Sequence, residues 1–449
     1  MTSPASATKD ATLERLYSKI TWRLLPFLTL CYMFAFLDRI NVGFAKLQMQ
    51  ADLGFSDAVY GTGAGIFFIG YVIFEIPSNL LLSKIGARKT LARIMILWGL
   101  VSAGMMFVHD ATTFYALRFL LGVFEAGFAP GMILYLTYWY APSRMARVMA
   151  VVMAAGPIGG SLGGPLSGWA MSALDGFHGL QGWQWMFLVE GLPCTVLGVI
   201  TYLTLTDRPE QARWLDDREK AILASDLTAA DRSASHGSLL KAVRDPRVIG
   251  IAFSNFCVIC GIYTVSFWLP TILSAAGMTG TTAIGLVSAL PYIAALVAMR
   301  LLCLSSDRRR ERRWHSALCG FVGAAALLGA TLYPHTLAAA LPAITLATAM
   351  MWASYTVLWA IPADYLDAGS APGGIAFVNV VGVLGGFFSP IIIGGVKTAT
   401  GSMAAGMSVM IALLIAGSIV MLANRLPRPS RIQRYVSDEC VPAASNSQS

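Results

Sequence analysis

Apolar stretches of roughly twenty residues alternate with short polar breaks along most of this chain. A helix rising 1.5 Å per residue needs about that length to cross a hydrocarbon core of about 30 Å. Twelve such runs are predicted, at about 22–43, 59–82, 90–108, 112–139, 146–172, 184–204, 248–274, 282–304, 314–333, 337–360, 372–396 and 402–424. The longest polar stretch, 206–247, separates the sixth run from the seventh. Its charges, from Asp207 to Lys220, fit an amphipathic surface helix. The expected organisation is an N-terminal segment 1–21, a six-helix bundle 22–205, a linker 206–247, a second six-helix bundle 248–424 and a tail 425–449.

Composition turns that pattern into a class. Charged residues are 12% of the 449, against about 25% in an ordinary soluble domain, and apolar residues reach 56%. Mean hydropathy is +0.65. So few charges cannot cover a globule of this size in water, and the chain reads as an all-α membrane protein. The first twenty residues include Lys9, Asp10, Glu14, Arg15 and Lys19 and lack a signal-peptide apolar core, so the first run reads as a retained span.

Lysine and arginine orient the spans. With both termini cytoplasmic, 27 of the 32 basic residues fall in inner segments, while Lys46 and Lys397 alone fall outside. Arg39, Arg118 and Arg300 lie within spans. That asymmetry sets a multi-pass topology in a cell (inner) membrane with both termini inside. It also accounts for the net charge of +8 without any nucleic-acid partner.

The two halves repeat. Ser83-Lys84-Ile85-Gly86-Ala87-Arg88-Lys89 after span two answers Asp307-Arg308-Arg309-Arg310-Glu311-Arg312-Arg313 after span eight. Gly156-Pro-Ile-Gly159-Gly160 in span five answers Gly382-Val-Leu-Gly385-Gly386 in span eleven. Two features offset by about half the chain point to a duplicated six-helix unit, the parallel arrangement that builds secondary transporters. Gly156, Gly160, Gly164 and Gly168 form a small-residue stripe suited to close helix packing.

Charges inside spans are expensive and usually mark a pathway or a pair. Asp38 and Arg39 lie in the outer half of span one. In span four, Arg118 comes to the same depth, with Glu125 two turns further in on the same face. The expectation is that two acids and two bases meet, forming a substrate and proton site. Glu75, in Phe74-Glu75-Ile76-Pro77-Ser78-Asn79, is expected to pair with Arg88 or Arg144 and latch the inner gate. Glu190 reads as a packing or hydrogen-bonding acid and Arg300 as a snorkelling cation. The second half offers Tyr263, Trp268, Tyr292, Trp352, Tyr355, Trp359 and Asn379 instead, which suggests a cavity charged on one wall and aromatic-polar on the other.

Enzyme chemistry finds little footing. All five histidines fall in or beside loops, and no nucleophile–base set or phosphate loop is apparent. Cys257-x-x-Cys260 sits inside an apolar run with no second pair, so it reads as two small buried side chains. No metal and no cofactor is expected.

At these residues the chain resembles the major facilitator superfamily, and within it the anion:cation symporters. The carriers are Phe36-Leu-Asp38-Arg39-Ile-Asn41-Val-Gly43-Phe-Ala45, Gly63-Ala-Gly65-Ile-Phe-Phe-Ile-Gly70-Tyr71, the Glu75 segment, Leu117-Arg118-Phe-Leu-Leu-Gly122-Val-Phe-Glu125-Ala-Gly127-Phe and Ser306-Asp307-Arg308. The last, with Gly86-Ala-Arg88-Lys89, resembles the superfamily's cytoplasmic loop motif, although Ser83 replaces the usual acid in the first copy. The antiporter glycine–proline motif of span five is only loosely present.

The resemblance implies twelve helices in two pseudo-symmetric bundles, alternating access and proton-coupled import of small carboxylates of the tartrate, sugar-acid or aromatic-acid kind. It implies a proton role for Asp38 and Glu125, and carboxylate-binding or coupling roles for Arg39 and Arg118. It further implies cavity contacts for Tyr71 and Asn379 and gating by Asp307 and Arg308 with Arg88. A monomer working with protons, a small organic anion and membrane lipid is expected, and the rival is a proton-antiporting exporter of organic anions or drugs.

Overall fold

In a hydrocarbon environment every backbone N–H and C=O must find its partner within the protein, so uninterrupted apolar runs fold as helices. The computed structural model describes residues 4–231, 244–365 and 371–424. Among these residues twelve helices are long and apolar enough to cross a membrane. They are spans one to twelve: Ala11–Leu53, Asp57–Ile85, Ala87–Phe107, Ala111–Thr137, Pro142–Ala173, Gly182–Thr204, Pro246–Ala275, Thr281–Arg309, Arg313–Leu332, Leu337–Pro362, Gly373–Thr400 and Met403–Ala423. The number matches the apolar runs in the sequence. The limits differ most in span one, which extends past Lys46 to Leu53 because that lysine is buried among aromatic rings and an acid. The expected tail 425–449 and residues 232–243 of the expected linker lie outside the described residues.

The helix pairings repeat with a shift of six. In the first half, span one packs on five, two on four and three on six. In the second half, seven packs on eleven, eight on ten and nine on twelve. These matched pairs are the structural counterpart of the sequence repeat. The fold is two parallel, pseudo-symmetric six-helix bundles, joined mainly where span five meets eight and span two meets eleven.

The glycine stripe of span five faces the second half. A Cβ at Gly156 or Gly160 would meet the rings of Trp352 or Tyr292. At Gly164 it would lie 2.7 Å from the carbonyl oxygen of Gly285, so only glycine lets these two backbones touch. Further cross-half bonds sit nearby, on the face opposite the termini: Tyr60 donates to the Phe267 carbonyl at 2.7 Å, and the Ala58 amide to Thr398 Oγ1 at 2.9 Å. The halves are therefore packed tightly together at that face.

On the terminus-bearing face, a linker helix, Asp217–Asp231, is tied to the start of span one. Tyr17 donates to Asp226 Oδ2 at 2.6 Å, and Lys19 pairs with Glu219 at 2.8 Å.

Candidate functional site

Span four is a broken helix. Its first segment ends at Glu125, Ala126 turns extended, and Gly127 takes φ +84° before Phe128 starts the second segment. A side chain at 127 would occupy a left-handed conformation and also meet Ser78 at 2.6 Å, so glycine is required. The break leaves Glu125 at the negative end of a half-helix dipole, an unfavourable place for a carboxylate without a cation nearby.

Arg39 supplies that cation. Its Nη2 forms an ion pair with Glu125 Oε1, while its Nη1 donates to the Tyr263 hydroxyl across the interface at 2.9 Å. The rings of Phe67 and Tyr71 lie 5.3 and 5.4 Å from the guanidinium carbon, within cation–π range. The arginine side chain keeps 12% of its surface exposed, whereas Glu125 keeps 1%. Arg39 Nε and Glu125 Oε2 remain without hydrogen-bond partners. One guanidinium thus joins an acid of the first half to a phenol of the second.

Arg118 is differently placed. It is wholly buried, donating Nε to the Gly63 carbonyl at 3.1 Å and Nη2 to Ala64 at 3.4 Å, with Phe67 against its face at 5.2 Å. Its Nη1 has no partner. Arg118 interacts through space with Asp38, Glu125 and Arg39 but forms a direct ion pair with none of them.

Asp38 also stands apart from the arginines in hydrogen bonding. Trp98 Nε1 donates to Oδ2 at 2.7 Å, Asn41 Nδ2 to Oδ1 at 3.1 Å, and Ser102 Oγ to Oδ1. Three neutral donors, two of them from span three, hold a carboxylate with no exposed surface. The expected pairing of two acids with two bases is corrected in this respect: the four charges gather in one region, but a single ion pair forms. Depth along two helices was read correctly enough to bring them together, whereas rotation about each axis, which decides who touches whom, was not encoded in the spacing.

The expected Glu75 latch is corrected as well. Glu75 Oε1 accepts from Asn379 Nδ2 at 3.2 Å, again across the halves, and Oε2 is unpartnered. Ten residues separate Glu75 from the end of its helix at Ile85, about 15 Å of rise, so Arg88 in the next helix is out of reach. The Arg88 guanidinium lies 5.3 Å from the Tyr202 ring, and its backbone N–H donates to Asp207 Oδ1 at 2.7 Å. Arg144 pairs with Glu14 at 2.6 Å and stacks on Tyr17 at 4.1 Å. Asp307 pairs with Arg312 at 2.9 Å. Arg308 lies on the exposed end of span eight.

The second half contributes rings. Tyr263 stacks on Phe267 at 5.5 Å and meets Phe68 edge-on at 4.8 Å. Trp352, Tyr355 and Trp359 form a chain of edge contacts along span ten, with Phe36 of span one at its head. The indole N–H groups of Trp352 and Trp359 are buried without partners. Glu190, expected as a hydrogen-bonding acid, accepts from Ser167 at 2.7 Å. Sequence reasoning missed Trp98 and Ser102 as holders of Asp38, because nothing in a tryptophan within an apolar run signals an acid on another helix.

Two bundles of this pairing around a charge cluster inside the spans form the architecture of a secondary transporter. The profile of the Major Facilitator Superfamily matches residues 28–390, and the chain belongs to that family. It is a multi-pass membrane transporter and not an enzyme. A chain of Agrobacterium vitis named as a tartrate transporter is 47% identical over 91% of this chain and 94% of its own length. A quinolone resistance transporter of Acinetobacter baumannii is 38% identical over 89% and 93%. Among solved structures, a bacterial homologue of the human lysosomal transporter Spinster superposes with a TM-score of 0.73 at 15% identity, covering 94% of this chain and 98% of that one; it bears on the fold alone.

Proposed function

We propose that this protein is a proton-coupled symporter that brings a small organic carboxylate into the cell across the inner membrane by alternating access. Both termini are cytoplasmic in this reading, the halves divide at the 206–247 connection, and the working unit is a monomer. The observation that carries it is the Arg39 guanidinium, shared between Glu125 and Tyr263 at the seam of the halves. Arg39 presents a planar fork that suits a carboxylate. An entering anion competes with Glu125 for that fork. Glu125, left without its cation beside the end of a half-helix dipole and inside apolar surroundings, then binds a proton. Anion and proton favour each other's binding, which is the thermodynamic content of symport.

The other residues take supporting places. Arg118, anchored to main-chain carbonyls, supplies fixed positive potential behind the site. Tyr71 and Asn379 flank Arg39 and Glu75 and contact the body of the substrate. Asp38 is a second proton-coupling acid, acting through Asn41 and span three. Glu75 with Asn379 closes the inner path, and Arg88, Asp307 and Arg308 set the loops that move with it. Identity to the chain named for tartrate transport favours hydroxy acids; the ring-lined second half favours aromatic acids.

The test is uptake in proteoliposomes. An inward proton gradient is expected to drive accumulation of labelled tartrate or of a hydroxybenzoate above equilibrium, and collapse of the gradient to abolish it. Identity to the quinolone resistance transporter favours a second reading, proton-driven export of drugs or organic anions. Accumulation driven by the opposite gradient would establish that reading and overturn import.

A further inference from the structure

The positive-inside asymmetry leaves two basic residues on the outer side, Lys46 and Lys397, 351 positions apart in the chain. Both bind the same carboxylate. Lys46 Nζ lies 2.8 Å from Asp57 Oδ1, and Lys397 Nζ lies 3.0 Å from Asp57 Oδ2. Lys46 comes from span one, Asp57 from the first turn of span two, and Lys397 from span eleven of the other half. The Lys46 ammonium also sits 3.8 Å from the Trp268 ring centre and donates to Thr271 Oγ1 at 3.3 Å, both in span seven. Trp268 takes Lys397 at 5.7 Å as well and meets Tyr60 edge-on at 5.3 Å.

We infer that Lys46, Asp57, Lys397 and Trp268 form the outer lock of the transport cycle, an assembly made when the halves close at this face and broken when they part. Burial explains why each half needs its share. Lys46 keeps 2% of its surface and cannot be left without an anion, so Asp57, in the same half, stays with it throughout. The second oxygen of Asp57 is then free to take a cation from the opposite half, and Lys397 fills it. Parting the halves removes Lys397 and withdraws the Trp268 face from Lys46 while leaving the Lys46–Asp57 pair whole. The lock therefore opens without stranding a buried charge. Its cross-half ion pair is partly exposed, with 24% of Lys397 and 20% of Asp57 accessible, so its strength is moderate and reversible. The cation–π contact of the buried ammonium adds to it. This role depends on the outward orientation of that face and not on the identity of the substrate.

The lock is tested with spin labels at Ala51→Cys and Ala399→Cys, two exposed outer positions in opposite halves, in a background with C303S and C440S. Lys397→Gln removes the cross-half pair and leaves Lys46 with its anion. It is expected to raise the long-distance, outer-separated population about fivefold in pulsed electron–electron measurements, and to lower the KM of uptake from the outer side as the competent fraction grows. Asp57→Asn strands Lys46 and tests folding as well; the double variant with K397Q is expected to separate the halves no further than D57N alone. An unchanged distance distribution in K397Q overturns the lock. Additive effects of D57N and K397Q overturn the pairing. Neither result touches the proton–anion exchange at Arg39, which is read from gradient-driven uptake.

Discussion

The two halves of this protein share a helix-pairing scheme and differ in what they bring to their seam. The first presents Asp38, Arg39, Glu75, Arg118 and Glu125, all inside spans. The second presents Tyr263, Tyr292, Trp352, Tyr355, Trp359 and Asn379, with no carboxylate at that level among the described residues. A duplicated unit has thus kept its packing and divided its chemistry. In the proposed mechanism charge exchange is confined to one bundle, where Arg39 is held either by Glu125 or by the substrate carboxylate. At that level the other bundle offers rings and neutral hydrogen-bonding groups, which in the proposed mechanism give shape and orientation without competing for the proton. Within the charge cluster the halves meet through Arg39 with Tyr263 and Glu75 with Asn379, each pairing a charged group with a neutral one, whereas at the outer face Asp57 and Lys397 pair charge with charge.

The largest expected effect breaks the charged side. Arg39→Ala removes the fork and leaves Glu125 buried without a cation; binding of carboxylates, followed by calorimetry, is expected to fall at least a hundredfold. Arg39→Lys keeps the charge but not the bidentate geometry and is expected to recover only part of the loss. Next comes Glu125→Gln. It is expected to abolish uphill accumulation while preserving exchange of internal for external substrate, because the site can no longer trade a cation for a proton.

Smaller effects sharpen the neutral side. Tyr263→Phe deletes the hydroxyl that steadies Arg39 from the opposite half, a loss of about 1 kcal/mol, seen as a KM increase of roughly fivefold with coupling intact. A change in proton stoichiometry in this variant would show that the second half shares the charge chemistry after all. Trp98→Phe removes one of three donors to Asp38 and is expected to lower thermal stability by an amount corresponding to about 1–2 kcal/mol. Full retention of stability would mean that Ser102 and Asn41 satisfy the acid without the indole.

Much of this was legible beforehand. Twelve spans follow from run length, and the duplication follows from paired glycine and basic segments at a common offset. The charged cluster was legible too, since Asp38, Arg39, Arg118 and Glu125 are costly at their positions whatever surrounds them. Partner choice was not. A run of apolar residues fixes depth by its 1.5 Å rise, but tilt and rotation come from packing against neighbours. Hence Asp38 turned to Trp98 and Ser102 rather than to an arginine, and Glu75 turned to Asn379 rather than to Arg88. The broken helix behind Glu125 was hidden for a related reason: Gly127 is one of many glycines, and only the fold shows which of them needs a positive φ.

The central claim is that one guanidinium passes between Glu125 and the substrate carboxylate, and that the acid answers by taking a proton. The most direct measurement is proton uptake on binding, followed with a pH indicator in weakly buffered detergent solution as a carboxylate identified as transported is added. The parent protein is expected to take up protons in step with saturation, and Glu125→Gln to bind the same anion with that proton uptake diminished or absent. Equal proton uptake by both proteins at equal occupancy would contradict the account.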